Sequence, residues 1–447
     1  MQQEIRERSG VISMSPDGDY QNTDLLTENV NTPLSHQRLH QYSDRQDISH
    51  PASDLRVVMR EILLDGDIDQ AVCFLDEGLL KERLRTFRSN FLPDMRERRI
   101  IYAMKANPRE QIMRILKSEG LDGFDCASIN EVHKALNVSG MDPSEVYFNN
   151  PTKSASAISS ALISGVRYFT AQSRSGVESI LRHNAESQQR TMEVAIRAET
   201  RGDGAIINLS EKFGSTPEEA MELIKMVRAR GANPALSMHT GSQNTDPNSF
   251  AQGIEFLTKL AKSAGGVSSL NIGGGVPTNL NDQDHYNLRT YLSIISKSVM
   301  DNIPGALRSN RHIEPRLILE PGRALVAEAV DLAIPILEIH QRRNERRLFM
   351  GDGLFTSFSD AVIHKWKYQF DVLPKDGRTV SEQKSNFRVF GQTCDSGDDL
   401  GDFDLPSDLK EGDWLLVHNA GAYMDAQASG FNDFDPPYYV FYNHNSH

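Results

Sequence analysis

The segment RIIYAMKANP, residues Arg99 to Pro108, joins a predicted strand to a loop that carries a lysine. Its first residues, Arg99–Ala103, form a short apolar run that favours a β-strand, and a helical pattern follows from Arg109. In that pattern the apolar side chains recur on one face up to Gly120, a residue typical of a helix C-cap. The segment therefore predicts a strand, a loop holding Lys105, and a helix.

The same alternation of a short apolar run and a helical stretch repeats along the chain. A second clear helix begins after Thr216, a good N-cap, with Pro217 at its first position, and extends to Gly231. The predicted strands are Arg99–Ala103, Leu121–Cys126, Val146–Phe148, Val166–Thr170, Met192–Ala198, Ala235–His239, Ser269–Ile272 and Leu317–Glu320. Eight strand and helix units in succession predict a (β/α)8 barrel. An open doubly wound sheet is the alternative, but it usually has fewer strands.

The pattern changes after Ala333 to short strands separated by Gly, Asp and Pro clusters, which predicts a β-rich second domain. The strands predicted there are Arg347–Phe349, Phe387–Phe390, Trp414–His418 and Tyr438–Tyr442. The chain is thus divided into a flexible polar tail (1–51), an N-terminal segment that joins the β-domain (52–91), the barrel (92–333) and a C-terminal β-domain (334–447).

Composition narrows the class of protein. The 447 residues are 38% hydrophobic and 24% charged, as in a soluble globular protein, and the net charge of −13 argues against a nucleic-acid partner. We expect no membrane span and no secretory signal, because no apolar stretch reaches about 18 residues and the N-terminus has no apolar core. Three widely spaced cysteines and no metal-ligand spacing favour a cytoplasmic protein without a metal.

Barrel enzymes carry their chemistry on the loops that follow the strands. Here the unusual residues fall at those positions: Lys105, Asp125 and Cys126, Arg197, His239, the run Gly273–Gly275, Glu320, and Gly322 with Arg323. A barrel directs all of these into one mouth.

Lys105 has two interpretations. A lone lysine on a loop is usually a solvated charge. At a barrel mouth, however, partial desolvation lowers the pKa of an ammonium group, and a lysine of lowered pKa forms a Schiff base with an aldehyde cofactor.

The glycine run and the last strand predict an anion site. Three glycines in Gly273–Gly275 allow backbone N–H groups to approach an anion, although glycine runs are often only turns. Gly322 and Arg323 follow the adjacent strand and border the corner where barrels commonly hold phosphate. Glu320 ends the apolar run RLILE, so its carboxylate needs a partner. A protonated pyridine nitrogen meets that need, while a turn carboxylate is the alternative.

Four further candidates also have structural interpretations. Asp125 can be a turn carboxylate, and Glu131 fits a capping box that begins at Ser128. His239 can stack on a flat ring or be a structural histidine. Arg197 can equally belong to a buried ion pair.

Seven motifs in this order resemble the decarboxylases with an alanine-racemase-like fold, which act on ornithine, lysine, diaminopimelate and arginine with pyridoxal 5'-phosphate. The motifs are YAMKANP (102–108), GFDCAS (123–128), HTGSQ (239–243), NIGGG (271–275), EPGR (320–323), GQTCDSGD (391–398) and GAY (421–423). The resemblance extends from about Asp54 to the end of the chain and is nearest to the ornithine enzymes.

The resemblance implies a role for each matching residue. Lys105 forms the Schiff base, His239 stacks on the pyridine ring, and Glu320 pairs with the ring nitrogen, which favours decarboxylation over racemisation. The residues implied to bind the cofactor are Lys105, Asp125, Glu131, Arg197, His239, Ser242, Gly273, Gly274, Gly275, Glu320, Arg323 and Tyr423.

The resemblance also implies a homodimer with shared active sites. Cys394, the fourth implied catalytic residue, enters the site of the partner subunit to protonate Cα, and Asp395 binds the distal amine of a diamino acid. Lys212 and Asp398 match a salt bridge between subunits.

The substrate is less well defined than the reaction. NNPTK (149–153) and SGFNDFDPPYY (429–439), which contains the implied substrate residue Phe431, resemble enzymes that convert L-ornithine to putrescine for polyamine biosynthesis or L-lysine to cadaverine. The GSQ motif is closer to the meso-diaminopimelate and arginine branches. His364 stands where the ornithine enzymes have a substrate-binding aspartate, and Asp360 is a possible substitute. The alternative of a different class is a catalytically inactive homologue that acts as a binding protein.

Overall fold

The computed structural model describes residues 55–64, 68–186, 192–200, 205–207, 209, 211–280, 284–303, 315–364 and 367–442. The predicted polar tail 1–51 lies outside these residues. Strands are numbered β1–β18 and helices α1–α11 in chain order.

Eight parallel strands form a closed barrel, and β11 pairs with β2 to complete it. They are β2 (Arg98–Ala103), β3 (Gly123–Cys126), β4 (Val146–Phe148), β5 (Tyr168–Ala171), β6 (Glu193–Arg197), β8 (Asn233–Ser237), β10 (Ser269–Asn271) and β11 (Arg316–Leu319). The predicted (β/α)8 fold is confirmed and the open sheet is excluded. Each predicted strand matches one barrel strand, because long helical segments separate the apolar runs.

The helices cover the barrel. They are α2 (Glu77–Asn90), α3 (Glu110–Ser118), α4 (Ile129–Asn137), α5 (Ala155–Ile163), α6 (Arg174–Glu186), α7 (Pro217–Ala229), α8 (Pro247–Ser263), α9 (Leu288–Asn302) and the short α10 (Arg323–Val326). Helix α7 starts as the sequence predicts: Thr216 and Glu219 form a reciprocal capping box. Helix α3 buries Ile112, Met113 and Leu116, and Gly120 follows it with a φ of +84°.

A small antiparallel pair lies at the mouth of the barrel. Strand β7 (Ala205–Ile207) follows β6, and β9 (Ser242–Asn244) follows β8. Because β9 begins at Ser242, this pair fixes the backbone of one predicted cofactor-binding residue.

A second, mixed sheet forms the rest of the chain. Its strands are β1 (Val72–Asp76), β12 (Val330–Arg342), β13 (Glu345–Met350), β14 (Asp371–Leu373), β15 (Lys384–Phe390), β16 (Asp399–Pro406), β17 (Trp414–Val417) and β18 (Tyr438–Tyr442), and two helices, α1 (Leu55–Leu64) and α11 (Ser359–His364), accompany it. The main path runs β14-β17-β12-β13-β15-β16, and β1 lies between β12 and β18. The prediction did not include β12, which contains Pro335, or β16, whose sequence DLGDFDLP is rich in Asp and Gly.

The N-terminal segment, predicted as residues 52–91, contributes to both the barrel and the second sheet. Strand β1 pairs with β12 and β18, and α1 packs Val58 and Ile62 in one cluster with Trp414 and Tyr442. Helix α2 instead packs against α9 of the barrel. The division at 333/334 falls inside β12, so one strand belongs to both predicted parts, and the domain division stays a prediction.

His418 links three strands of the second sheet and provides a pH-dependent contribution to stability. Its Nδ1 lies 2.9 Å from Asp331 and its Nε2 lies 3.2 Å from Asp371. Hydrogen bonds to Asp331 and Asp371 raise its pKa to about 10. A raised pKa stabilises the fold fully below the unfolded value of about 6.5, and this stabilisation is lost as pH rises through about 10.

We therefore expect His418→Gln to lower the free energy of unfolding by about 1–2 kcal/mol at pH 6, and by much less above pH 10. Urea unfolding at both pH values measures the difference. His340→Gln is the matched control, since His340 is only partly buried and lies 2.9 Å from a single carboxylate, Glu338. An equal effect of both variants, or an effect of His418→Gln that does not depend on pH, contradicts the prediction.

Candidate active site

The carboxyl ends of the barrel strands open into two adjoining cavities of about 200 and 250 Å³. Both are lined by Lys105, Asp125, Leu209, His239 and Glu320. The first cavity is further lined by Ser242, Gly274, Gly275, Gly322, Arg323, Asp360, His364, Tyr423 and Gln427. The second is further lined by Asn149, Asn150, Thr170, Arg197, Phe213 and Ser237. The structure thus brings most of the predicted residues together.

Lys105 lies on a 3-10 turn, Met104–Ala106, directly after β2, and its side chain faces both cavities. Burial lowers its pKa, but the electrostatic effects of Tyr423, Asp125 and Glu320 together outweigh burial, so the net pKa is raised. The sequence-based expectation of a lowered pKa is therefore wrong. Burial does lower the pKa of Lys105, as expected, but the surrounding groups raise this pKa by more.

Glu320 directs one carboxylate oxygen into the cavity. Asn149 and Asn271 both donate to Oε1, at 2.6 and 2.5 Å. Among the described residues, Oε2 accepts no hydrogen bond. Burial and the neighbouring Asp125 raise the pKa of Glu320 to about 8. A cationic N–H donor at Oε2 would stabilise the ionised form of this carboxylate.

Asp125 lies one residue before the end of β3, which pairs with β2 on the side away from β11. Burial raises its pKa against the opposing effect of Lys105. Asn149 hydrogen-bonds Asp125, so the same amide links the two carboxylates. Neither Asn149 nor Asn271 was predicted to have a role. Asn149 directly follows β4 and was detectable by the strand-end rule, whereas Asn271 is the last residue of β10 and was missed because the predicted strand extended to Ile272.

His239 is neutral, because burial, Lys105 and Arg197 hold its pKa well below the usual value. Its Nδ1 accepts the backbone N–H of Gly241 at 3.0 Å, which places the ring proton on Nε2. Arg197 lies with its guanidinium 4.8 Å from the ring centre of Phe213. Burial is the main effect on Arg197 and lowers its pKa.

Glu131 does not line either cavity. Ser128 caps α4 as predicted, but the Glu131 carboxylate accepts the N–H of Ala127 at 2.5 Å, so the box is not reciprocal. Burial raises the pKa of Glu131. Its contact with the loop after β3 supports the segment next to Asp125.

The glycine run closes one corner of the first cavity. Gly273 and Gly275 have φ values of +72° and +104°. A Cβ at Gly275 would lie 2.0 Å from the carbonyl oxygen of Gly241, and a Cβ at Gly273 would lie 2.3 Å from that of Met238. The glycines are therefore required for close packing of two loops, which leaves Gly274 and Gly275 at the cavity wall.

Arg323 and Tyr423 form the facing wall. The Arg323 guanidinium is buried, lies 4.5 Å from the Tyr423 ring centre, and donates to Asp360 at 2.9 Å. Tyr423 has a φ of +64°, which bulky residues rarely adopt, and its N–H donates to Ala106 O at 2.7 Å. Gly322 precedes Arg323 at the same wall.

Asp360 is engaged by Arg323 and also lies 3.4 Å from His364 Nε2. Burial raises the pKa of Asp360 despite Arg323. For His364, burial lowers the pKa, and the neighbouring Asp360 opposes this effect. This wall therefore presents a paired carboxylate and a neutral imidazole.

Cys394, Asp395 and Phe431 are exposed and do not line the cavities of their own chain. The Cys394 N–H donates to Asn432 Oδ1 at 3.1 Å, so the two segments are adjacent. Asp398 was expected to bridge to Lys212 of the partner subunit. Within its own chain it is 1% exposed, and its carboxylate accepts hydrogen bonds from Leu354 and Thr393. The bridge between subunits stays a prediction.

Two polar atoms test the fit of a cofactor with a protonated ring. Glu320 lines both cavities, and its Oε2 accepts no hydrogen bond among the described residues. Ser237 Oγ, in a residue only 6% exposed, also has no partner among them. Within the same residues, no group of three acidic, His or Cys side chains is placed to hold a metal, and no helix is long and apolar enough to span a bilayer. Lys105, the acceptor Oε2 and the glycine corner fit an aldehyde cofactor with a basic ring nitrogen and an anionic group.

The barrel and this set of residues define a class of enzymes that use pyridoxal 5'-phosphate. Residues 77–327 match the family model for the pyridoxal-binding domain of pyridoxal-dependent decarboxylases. The chain belongs to this family, and its cofactor is pyridoxal 5'-phosphate.

Comparisons with individual proteins agree. The chain is 31% identical over 389 residues to a chloroplastic ornithine decarboxylase of Nicotiana glauca, covering 83% of each chain. It is 28% identical to a lysine/ornithine decarboxylase of Selenomonas ruminantium, covering 75% of this chain and 81% of the relative. The structure of an arginine decarboxylase from Paramecium bursaria Chlorella virus has the same fold, with a TM-score of 0.75 at 22% identity, covering 87% of this chain and all of the other.

Proposed function

We propose that the protein removes the α-carboxylate from a basic amino acid, with pyridoxal 5'-phosphate attached to the ε-nitrogen of Lys105. The observation that carries the proposal is that Lys105 and the free Oε2 of Glu320 line the same two cavities. They reach these cavities from adjacent strands, β2 and β11. A lysine nucleophile and a carboxylate that can pair with the pyridine nitrogen thus lie side by side at the same cavities.

When bound, the cofactor supplies the electron sink into which the bonding electrons of the departing carboxylate flow. The residues of this chain supply position and charge. Glu320 holds a proton on the ring nitrogen through Oε2. His239, as a neutral flat ring, packs against a flat ligand without competing for its charge. Asp125 and Arg197, with Glu131 behind them, provide the polar surroundings of Lys105.

The phosphate is held at the glycine corner. Backbone N–H groups of the Gly273–Gly275 run, the Ser242 hydroxyl, the Arg323 guanidinium and Tyr423 surround it in this proposal. Arg323 already shares its charge with Asp360. Phosphate binding therefore relies on N–H dipoles as well as on the arginine.

L-Ornithine is the first candidate substrate and L-lysine the second. Relatives named ornithine and lysine/ornithine decarboxylases support this order. Asp360 and His364 line the cavity, so they are placed to contact a substrate side chain. Since Asp360 is paired with Arg323, the partner subunit's Asp395 is the stronger candidate for the distal ammonium.

The test is a screen of purified protein for CO2 release from ornithine, lysine, arginine and meso-diaminopimelate. Release from ornithine or lysine above the other two supports the assignment. Preference for meso-diaminopimelate identifies the alternative substrate. No release, together with no visible absorbance from bound cofactor, supports an inactive homologue that acts as a binding protein. The presence of Lys105, Glu320 and His239 at one cavity favours the enzyme.

We also propose a homodimer in which each site is completed by the partner. Cys394 and Asp395 are exposed on an ordered turn, and Phe431, 38% exposed, packs on Phe355 beside them. Helix α11, whose last residue His364 lines the cavity, also exposes Val362 and Ile363. An apolar surface next to an open site, with a thiol and a carboxylate directed outward, is suited to a second copy of the chain.

Mixed dimers give a direct prediction for shared sites. Lys105→Ala and Cys394→Ala subunits are each expected to be nearly inactive, while mixing them restores up to about one quarter of the activity, since random pairing leaves one intact site in half of the dimers. Measurement of CO2 release after unfolding and refolding the mixture checks this. Differently tagged subunits confirm that mixed dimers form. Mixed dimers without recovery contradict the proposal.

The cytoplasm is the proposed location. The support is the acidic composition and the few, dispersed cysteines. Fractionation of the cells that express the full chain tests this assignment.

A further inference from the structure

Asn107 lies two residues after Lys105 and joins the barrel to the second sheet. It is 1% exposed. Its Nδ2 donates to the carbonyl oxygen of Gly421 and to the hydroxyl of Tyr439, both at 3.0 Å. Its Oδ1 accepts the backbone N–H of Arg109 at 3.2 Å. One buried amide therefore ties the turn after β2 to two separate segments of the second sheet.

A second bond joins the same segments. The N–H of Tyr423 donates to the carbonyl of Ala106 at 2.7 Å. Gly421 packs so closely on the barrel side that an added Cβ would lie 1.9 Å from Val326 O. The turns Ala106–Asn107 and Gly421–Tyr423 thus form a clamp, and neither turn can shift without breaking a buried hydrogen bond.

The clamp holds two residues that line the same cavity, Lys105 and Tyr423. The titratable groups that act on Lys105 are Tyr423, Asp125, Glu320 and Arg197, and Lys105 itself acts on His239 and Glu131. Tyr423 lies in the loop after β17, on the side of the second sheet, whereas all the others belong to the barrel. The distance between the lysine nitrogen and Tyr423 therefore depends on how the two parts of the chain are joined.

We propose that Asn107 is a positioning residue that sets the place of the Lys105 nitrogen relative to Tyr423. This proposal rests on the proposed function in one respect, that Lys105 carries the cofactor. Two amide N–H donors are required at this position. An aspartate of the same shape would direct a carboxylate oxygen at the Gly421 carbonyl, and the repulsion would open the clamp.

The test compares three variants of the cofactor-loaded protein: Asn107→Asp, Tyr439→Phe and Tyr442→Phe. Tyr439→Phe removes one acceptor of the amide and leaves the fold intact. Tyr442→Phe is the matched control, a buried tyrosine on the same strand, whereas the hydroxyl that accepts from Asn107 belongs to Tyr439. The readouts are the pH midpoint of the visible absorbance, cofactor retention on dialysis, and the thermal midpoint.

We expect Asn107→Asp to lose the cofactor about tenfold more readily and to shift the pH midpoint by roughly half a unit or more, because the lysine nitrogen moves relative to the groups that face it. Tyr439→Phe moves both readouts in the same direction by less, and Tyr442→Phe moves neither. A fall in thermal midpoint with unchanged absorbance and retention overturns the proposal. If Asn107→Asp does not fold, Tyr439→Phe decides alone. A wild-type protein without the absorbance refutes the proposed function instead, and the role of the clamp with it.

Discussion

Lys105→Ala abolishes the visible absorbance of the bound cofactor and reduces CO2 release by a factor of about 10³ or more, as expected for loss of a covalent anchor and nucleophile. Lys105 is the only lysine among the described residues that line the two cavities, so no other amine there replaces it as a covalent partner. Absorbance spectra and CO2 release of the purified variant check this result.

Lys153 provides a demanding control. Burial lowers its pKa to about 7, so this lysine, and not Lys105, meets the sequence-based criterion for a reactive amine. Its Nζ donates to Asn150 and Thr170 carbonyls and does not line the cavities. Lys153→Met is therefore expected to keep the absorbance. Loss of the band in Lys153→Met, with retention in Lys105→Ala, would reverse the assignment.

Glu320→Gln is expected to reduce turnover about 10²–10³-fold while the protein still binds the cofactor. The glutamine carbonyl can take the place of Oε1 and accept from Asn149 and Asn271. Its NH2 group then occupies the place of Oε2 and donates, so it opposes a proton on the ring nitrogen. Steady-state kinetics and the absorbance spectrum measure the two effects separately.

Glu193→Gln is the matched control for Glu320→Gln. Glu193 is also a buried glutamate of the barrel, 7% exposed, but it begins β6 and bonds Ser269 and Arg316 at the far end. We expect reduced stability and near-normal turnover for this variant. If both variants lose turnover equally, the loss reflects barrel stability and the role of Glu320 at the ring is refuted.

Much of the site was predictable because a barrel converts sequence position into spatial position. A residue that follows a parallel strand must lie at the same end of the barrel as every other such residue. Lys105, Asp125, His239 and Glu320 were found by this rule and do line one mouth. Asn271 was missed because the predicted strand ran one residue too far, to Ile272, whereas β10 ends at Asn271.

The protonation states of the site residues and their hydrogen-bond partners were not predictable in the same way. Whether Lys105 has a raised or lowered pKa depends on the balance between burial and the acids around it. Asp360 was a possible substitute for a substrate-binding aspartate, and its ion pair with Arg323 was not foreseen. Nor were the contacts that Asp398 makes within its own chain. These are results of distances between residues far apart in sequence.

The sequence alone determined the order of strands and helices in the barrel, because hydrophobic periodicity and helix caps are local properties that the chain carries segment by segment. It also determined which residues reach the mouth. Only the tertiary structure decided the protonation of Lys105, the free oxygen of Glu320 and the clamp at Asn107. Each of these depends on burial and on groups that folding brings together, and neither quantity exists until the chain is packed.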